Sequence, residues 1–186
     1  MKDPCIRQIL RETELLHFFE DLDSKVVEEL SLPVAKARID MAVINGALHG
    51  YEIKSASDTL QRLPAQIEAY TKVFDYLSIV TESKYESKIL NYIPDWMGVF
   101  LCEEKRGVKS IMKLRAPLLN NNRESFYIAK LLWRDELLEC LTENNIPFRK
   151  KDRSWILCEE LSANLDIGTI SQLVRSKLKK RTNWKI

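Results

Sequence analysis

Between Arg38 and Tyr70 the sequence places Asp40, then Glu52-Ile53-Lys54, then Gln66 and Tyr70. Residues two apart on an extended strand share a face, so Glu52 and Lys54 point together. A carboxylate and an ammonium on one strand face, near a second carboxylate, suit hydrolysis of a phosphodiester. Asp40 and Glu52 would offer hard oxygen ligands to Mg²⁺, which keeps several waters and takes one or two protein carboxylates. Such a metal would acidify its water and neutralise charge at phosphorus, while Lys54 would orient the water or stabilise the pentacovalent state. The competing reading is an ordinary Asp40–Lys54 ion pair on a solvated sheet face, worth little energetically. That reading explains less well why Glu52 and Lys54 interrupt an otherwise apolar segment, where burying charge is costly.

Register decides whether the two acids can meet. A two-residue Asn45-Gly46 turn would pair Ile44 with Ala47, and hence Asp40 with Tyr51 and Ile39 with Glu52. Directly paired residues share a face, so that register puts Asp40 and Glu52 on opposite sides of the sheet. A shared site requires a one-residue offset, from a three- or five-residue loop or a bulge. Gly46 and Gly50 are suitable places for the extra residue, and a bulged or longer connection is expected between residues 44 and 51.

The elements that carry these residues are legible in the hydrophobic periodicity. Pro4 opens a helical pattern through Ile6, Ile9, Leu10, Leu16 and Phe19, ending around Asp21–Ser24. Strands are predicted at Val26–Leu32, Arg38–Ile44 and Tyr51–Lys54, the last two joined by the Asn45-Gly46 hairpin signal. A helical pattern follows from Ser57 to Asp75, with Pro64 suited to the first turn of a helix starting near it. Ser57 and Asp58 are read as caps for that helix. Leu77–Thr81 is a buried strand, Tyr85–Tyr92 a short helix, and Met97–Cys102 and Val108–Leu114 a strand pair. Beyond a break at Asn120-Asn121-Asn122 the pattern is helical, at Ser125–Glu143, Ser154–Ala163 and Thr169–Lys180. The order predicts an α/β sandwich on a mixed sheet with a helical C-terminal third.

Composition bounds the rest. The 186 residues are 45% hydrophobic and 30% charged, the balance of a folded domain or two. A net charge of +2 hides an asymmetry, because Arg149–Ile186 carries 10 basic and 4 acidic residues while the remainder has 19 and 23. Cys5, Cys102, Cys140 and Cys158 show no CxxC pair or zinc spacing, and Cys102 and Cys158 sit in apolar runs as expected of buried thiols. No apolar stretch approaches the roughly 20 residues needed to span a bilayer, and no signal peptide is expected from the alternating charged and apolar residues at the N-terminus. A reduced, cytoplasmic setting is expected. His17, in an apolar helix, and Trp96 and Trp133 are read as structural, and His49 is given no direct catalytic role.

The spacing Asp40, then Glu52-x-Lys54, then a helix with Gln66-x-x-x-Tyr70 resembles the PD-(D/E)XK nuclease superfamily. More narrowly, the run RIDMAVINGALHGYEIKSASDTLQRLPAQIEAYTKVFD and the closing LVRSKLKKRTNW resemble a small, uncharacterised bacterial family placed in it. The resemblance implies a restriction-endonuclease-like core (αβββαβ, a mixed central sheet flanked by helices) over residues 1–116. A helical, basic part would follow over residues 123–186. It implies Asp40 and Glu52 as metal-binding acids, the Ile53 carbonyl as a further ligand and Lys54 as the catalytic lysine. Gln66 and Tyr70 would line the cleft, as in the RecB-like QxxxY branch. Glu29, preferred over Glu28, would assist the metal from the preceding strand. Ile39 stands where the motif's name has proline. The cofactor implied is Mg²⁺, with Mn²⁺ as a substitute, and the substrate nucleic acid, DNA ahead of RNA.

Arg62, Arg175, Lys179 and Lys180 are the expected nucleic-acid contacts. The last three lie on the outward side of a helix whose Ile170, Val174 and Leu178 face inward. The alternative is a nuclease-like module that binds nucleic acid or a protein partner without cutting; on either reading a protein partner or a homodimer is a further expectation.

Overall fold

The computed structural model describes residues 1–34, 37–55, 58–182 and 184. Six strands form one mixed sheet in chain order: β1 (Lys25–Ser31), β2 (Arg38–Ile44), β3 (Leu48–Lys54), β4 (Tyr76–Glu82), β5 (Gly98–Lys105) and β6 (Val108–Arg115). The β1–β2–β3 run is antiparallel, β3–β4 and β4–β5 are parallel, and β6 returns antiparallel. Among the described residues no helix is long and apolar enough to cross a membrane.

The β2–β3 connection is a three-residue loop, Asn45 to Ala47, with Ile44 paired to Leu48. The Asn45 side chain accepts the Ala47 N–H at 2.9 Å and closes the turn without a bulge. The expected offset is therefore present, and β3 begins three residues before Tyr51. Gly50 does not absorb an extra residue; it pairs regularly with Ala42. A Cβ there would come within 3.1 Å of the Leu77 and Phe74 side chains, so the glycine lets these two pack tightly on the strand.

Helix α1 (Asp3–Glu12) and the short α2 (Leu16–Glu20) cover one sheet face. They are separate because Leu15 lies five residues after Leu10, off the helical stripe, and only a break at 13–15 buries it. Ile6, Leu10 and Leu15 pack with Met41, Val43, Tyr51, Ile53, Val80, Phe100 and Cys102.

The opposite face is covered by α3 (Leu63–Thr71), α4 (Glu86–Leu90) and the C-terminal helices α5 (Ser125–Ala129), α6 (Arg134–Glu143), α7 (Ser154–Asn164) and α8 (Ile167–Lys180). Pro64 sits in the first turn of α3, after a separate turn of 3-10 helix at Leu60–Arg62. Ser57 lies outside the described residues; Asp58 accepts the Ser55 N–H and hydroxyl instead of capping α3. The expected helix Ser125–Glu143 is two helices, because Glu136 reaches back to the Trp133 N–H at 2.6 Å and starts α6 there. Helix α8 begins two residues before Thr169, since Asp166 caps the Gly168 and Thr169 N–H groups. Cys102 and Cys158 are buried and free, as is Cys140.

Candidate active site: an acid row under a polar cleft

The regular β2–β3 ladder ends at Met41↔Tyr51, and one step further Asp40 stands opposite Glu52. On the other side, the β1–β2 register runs through Glu28↔Met41 and Leu30↔Ile39, which sets Glu29 opposite Asp40. Three acids on three adjacent strands thus share one row. The row is where both ladders are interrupted. Glu29 has φ of 55°, a left-handed conformation costly for a side chain of its size. Asp40 Oδ2 accepts the Ile53 N–H at 2.7 Å, a side chain standing in for a strand partner.

Glu52 and Lys54 point from β3 toward α3, whose Gln66 and Tyr70 lie one helical turn apart. Glu52 is 2% exposed. Its Oε1 accepts Lys54 Nζ at 2.6 Å and Gln66 Nε2 at 2.8 Å. Lys54 Nζ also donates to Gln66 Oε1 at 2.9 Å. Tyr70 Oη lies 2.8 Å from both Glu52 Oε2 and the Arg38 carbonyl, its one proton serving either. Burying these carboxylates is tolerable because each is hydrogen-bonded to a charged or polar donor.

The electrostatics follow from burial and crowding. Burial, followed by the neighbouring charge of Glu52, pushes the Asp40 carboxyl up to about 7, against the pull of the Ile53 N–H and Arg7. Burial also raises Glu52, opposed by Lys54, Tyr70 and Gln66. The Tyr70 hydroxyl is raised by burial and by Glu52, so it remains a proton donor.

A cleft of about 650 Å³ opens over this cluster, lined by Asp40, Glu52, Ile53, Lys54, Arg62 and Gln66 together with Asp3, Arg38 and Asp58. Five expected site residues and Arg62 therefore share one cavity, with Tyr70 packed behind them. The other expected contacts lie elsewhere. Glu29 is held by Arg7 at 2.7 Å and by Arg38 at 2.5 Å, outside the cleft lining. Arg175, Lys179 and Lys180 line a surface depression with Asn45 and Gly46, at the loop end of the β2–β3 hairpin. That is six residues of strand from Glu52, roughly 20 Å. Arg175 lies 3.8 Å from Asp75 and Lys179 pairs with Asp23 at 2.5 Å, so two of the three cations already face acids.

Arg7 and Arg38 carry no signal of this role in the sequence. Arg7 reads as one polar residue on an amphipathic helix, and its partners are 22 and 33 residues away.

Among the described residues no group of three or more His, Cys, Asp or Glu side chains is arranged to hold a metal ion. What is present is a pair, Asp40 and Glu52, close enough that the charge of one raises the other. A pair of hard carboxylates fits a hydrated Mg²⁺ and does not fit a dehydrated all-protein cage. A metal held here would fall to Asp40 and Glu52, with the adjoining Ile53 carbonyl the further ligand expected from the sequence, while Glu29 lies outside the cleft lining.

The chain is 24% identical over 159 residues to Protein cII of Enterobacteria phage P4, spanning 86% of this chain and 60% of that protein. The chain thus covers less than two thirds of that relative's length. A solved structure of a protein of unknown function from Silicibacter pomeroyi aligns with a TM-score of 0.47 at 14% identity, over 79% of this chain and 94% of that one. The profile of the bacteriophage P4 protein cII family matches residues 10–185, and the chain belongs to that family.

Proposed function

We propose that this protein is a Mg²⁺-dependent nuclease, acting in the cytoplasm on DNA in preference to RNA, with a restriction-endonuclease-like core. The observation that carries the reading is the convergence of Asp40, Glu52, Lys54 and Gln66 on one polar cleft, with Tyr70 behind. Asp40 and Glu52, with the Ile53 carbonyl, would hold the metal, for which Mn²⁺ would substitute; once bound, it supplies an acidified water and neutralises charge at phosphorus. Lys54, fixed by Glu52 and Gln66, holds a positive charge at the cleft floor for a non-bridging phosphate oxygen. Gln66 and Tyr70 keep the Glu52 carboxylate in one orientation. Arg62 and Arg38 stand in the cleft lining, where a phosphate backbone would run.

A second reading, a nuclease-like module that binds nucleic acid or a protein without cutting, draws on one observation. Glu52 Oε1 already takes Lys54 and Gln66, and Tyr70 stands 2.8 Å from Oε2, so the carboxylate is held without a metal. Incubating wild type and Asp40→Asn with plasmid, linear duplex and single strands, in Mg²⁺, Mn²⁺ or EDTA, separates the two. Metal-dependent cleavage by wild type alone supports the enzyme. Binding without cleavage by either protein supports the module, and equal cleavage by both points to a contaminant.

A further inference from the structure

Helix α1 contributes one side chain to the acid row from the opposite sheet face. Arg7, only 15% exposed, donates from Nη1 to the Asp40 carbonyl at 2.8 Å and from Nη2 to Glu29 Oε1 at 2.7 Å. The same Nη2 lies 3.4 Å from Asp40 Oδ1 and 3.4 Å from Asp3 Oδ1. Glu28 Oε2 is 3.6 Å from Nη1.

These contacts answer the interruption of the sheet. At Asp40 the ladder to β3 ends and the ladder to β1 is interrupted, so its main-chain and side-chain groups need other partners. The Asp40 carboxylate turns to the Ile53 N–H, and the Asp40 carbonyl turns to Arg7. A planar guanidinium can hold a carbonyl on β2 and a carboxylate on β1 at once; a lysine ammonium is a point donor and cannot bridge them in the same way.

We propose that Arg7 is a positioning residue for Asp40. By pinning the Asp40 carbonyl and Glu29 together, it fixes the backbone at the point where β2 leaves β3 and so aims the carboxylate at Ile53 and toward Glu52. Its consequence for metal affinity rests on the nuclease reading; its effect on Asp40 does not.

The test uses Arg7→Ala, Arg7→Lys and, as a control on the same helix, Arg11→Ala. Arg11 pairs with Glu28 and packs over Phe19 without touching Asp40. Amide hydrogen exchange reports the Asp40–Ile53 bond directly. Arg7→Ala should speed exchange at Ile53 by about tenfold relative to buried β4 amides such as Ile79, as loss of one charge-assisted bond implies. Arg7→Lys should restore part of the protection, and Arg11→Ala should leave it intact. By Mn²⁺ titration calorimetry, Arg7→Ala should weaken binding about 10–100-fold, the range for residues that orient a metal ligand.

An Ile53 amide unchanged in folded Arg7→Ala overturns the proposal, as does a uniform rise across the sheet, which means general loosening. Wild type that binds no Mn²⁺ while Ile53 still responds to Arg7→Ala sinks the metal reading and leaves the positioning role standing.

Discussion

The Asp40 carboxylate accepts the backbone N–H of Ile53 at 2.7 Å, so a side chain completes the hydrogen bonding where two central strands part. Bonding and chemistry are thereby linked: the group that satisfies the sheet is also the first acid of the candidate site. A carboxylate in this position is oriented, partly buried and close to Glu52 before anything binds.

Removing the chemistry should leave the fold. Asp40→Asn, Glu52→Gln and Lys54→Ala are each expected to lower the cleavage rate by about 10²–10⁴-fold, the usual span for a lost charge-stabilising or proton-transferring group. Far-UV circular dichroism should match wild type, because the asparagine and glutamine oxygens can still accept the Ile53 and Tyr70 bonds. A full-rate Lys54→Ala protein would remove Lys54 from the mechanism.

The acid pair should cost stability at high pH in protein free of divalent cation. Asp40 titrates near 7 in the fold against an ordinary value of 3.8. The folded state therefore holds this proton more tightly, and its contribution is complete below pH 3.8 and lost as the pH rises through 7. Wild type should melt lower at pH 8 than at pH 6, and Asp40→Asn should lose most of that difference. Equal pH dependence in the two proteins, by thermal melts in EDTA, would contradict the burial that, ahead of the Glu52 charge, raises Asp40.

His49 should govern the acid limb. It is half-buried, with Ser78 3.1 Å from Nε2 and Tyr51 3.2 Å from Nδ1, and desolvation lowers it to about 3 from an ordinary 6.5. The unfolded chain then binds the extra proton, so this contribution is present above pH 6.5 and is lost as the pH falls toward 3. Urea midpoints between pH 7 and pH 4 should fall less steeply in His49→Gln, whatever its starting stability.

At the other end of the strands, Asn120 is 1% exposed and donates to the Thr71 carbonyl at 2.6 Å and the Phe74 carbonyl at 2.9 Å. Asn120→Ala strands both acceptors and should cost about 2–3 kcal/mol in chemical denaturation, with the slope unchanged. A loss under about 0.5 kcal/mol would mean that water or repacking satisfies them.

Salt dependence should locate the nucleic acid. Arg62 lines the cleft, whereas Lys180 lies at the hairpin end. Arg62→Ala should lower the slope of log affinity against log salt by about 1, and Lys180→Ala should leave it unchanged for short duplexes. The reverse result would move the binding track to helix α8.

Local physics made much of this legible in the sequence. Alternation over residues 38–41 and the Asn45-Gly46 turn signal bracket that strand, whose last four residues are buried on both faces. Pro64 marked the start of α3, and spacing alone put Glu52 with Lys54 and Gln66 with Tyr70. The hairpin register followed from the face the acids must share. Strand ends elsewhere shifted: β5 runs on to Lys105, because Arg106 and Gly107, with φ of 52° and 78°, form a tight turn that lets β6 pair from Val108 to Lys113 before the register shifts.

What only the tertiary structure decided are contacts between elements distant in the chain. Arg7 meets Asp40 33 residues away, Glu29 is drawn to Arg7 and Arg38 instead of the cleft, and Arg175 faces Asp75. Periodicity fixes which face a side chain takes, but an ion pair depends on which helix crosses which strand and at what height. The +2 total showed neither the acid row nor the pairing of the basic helix, because charge counts carry no distances.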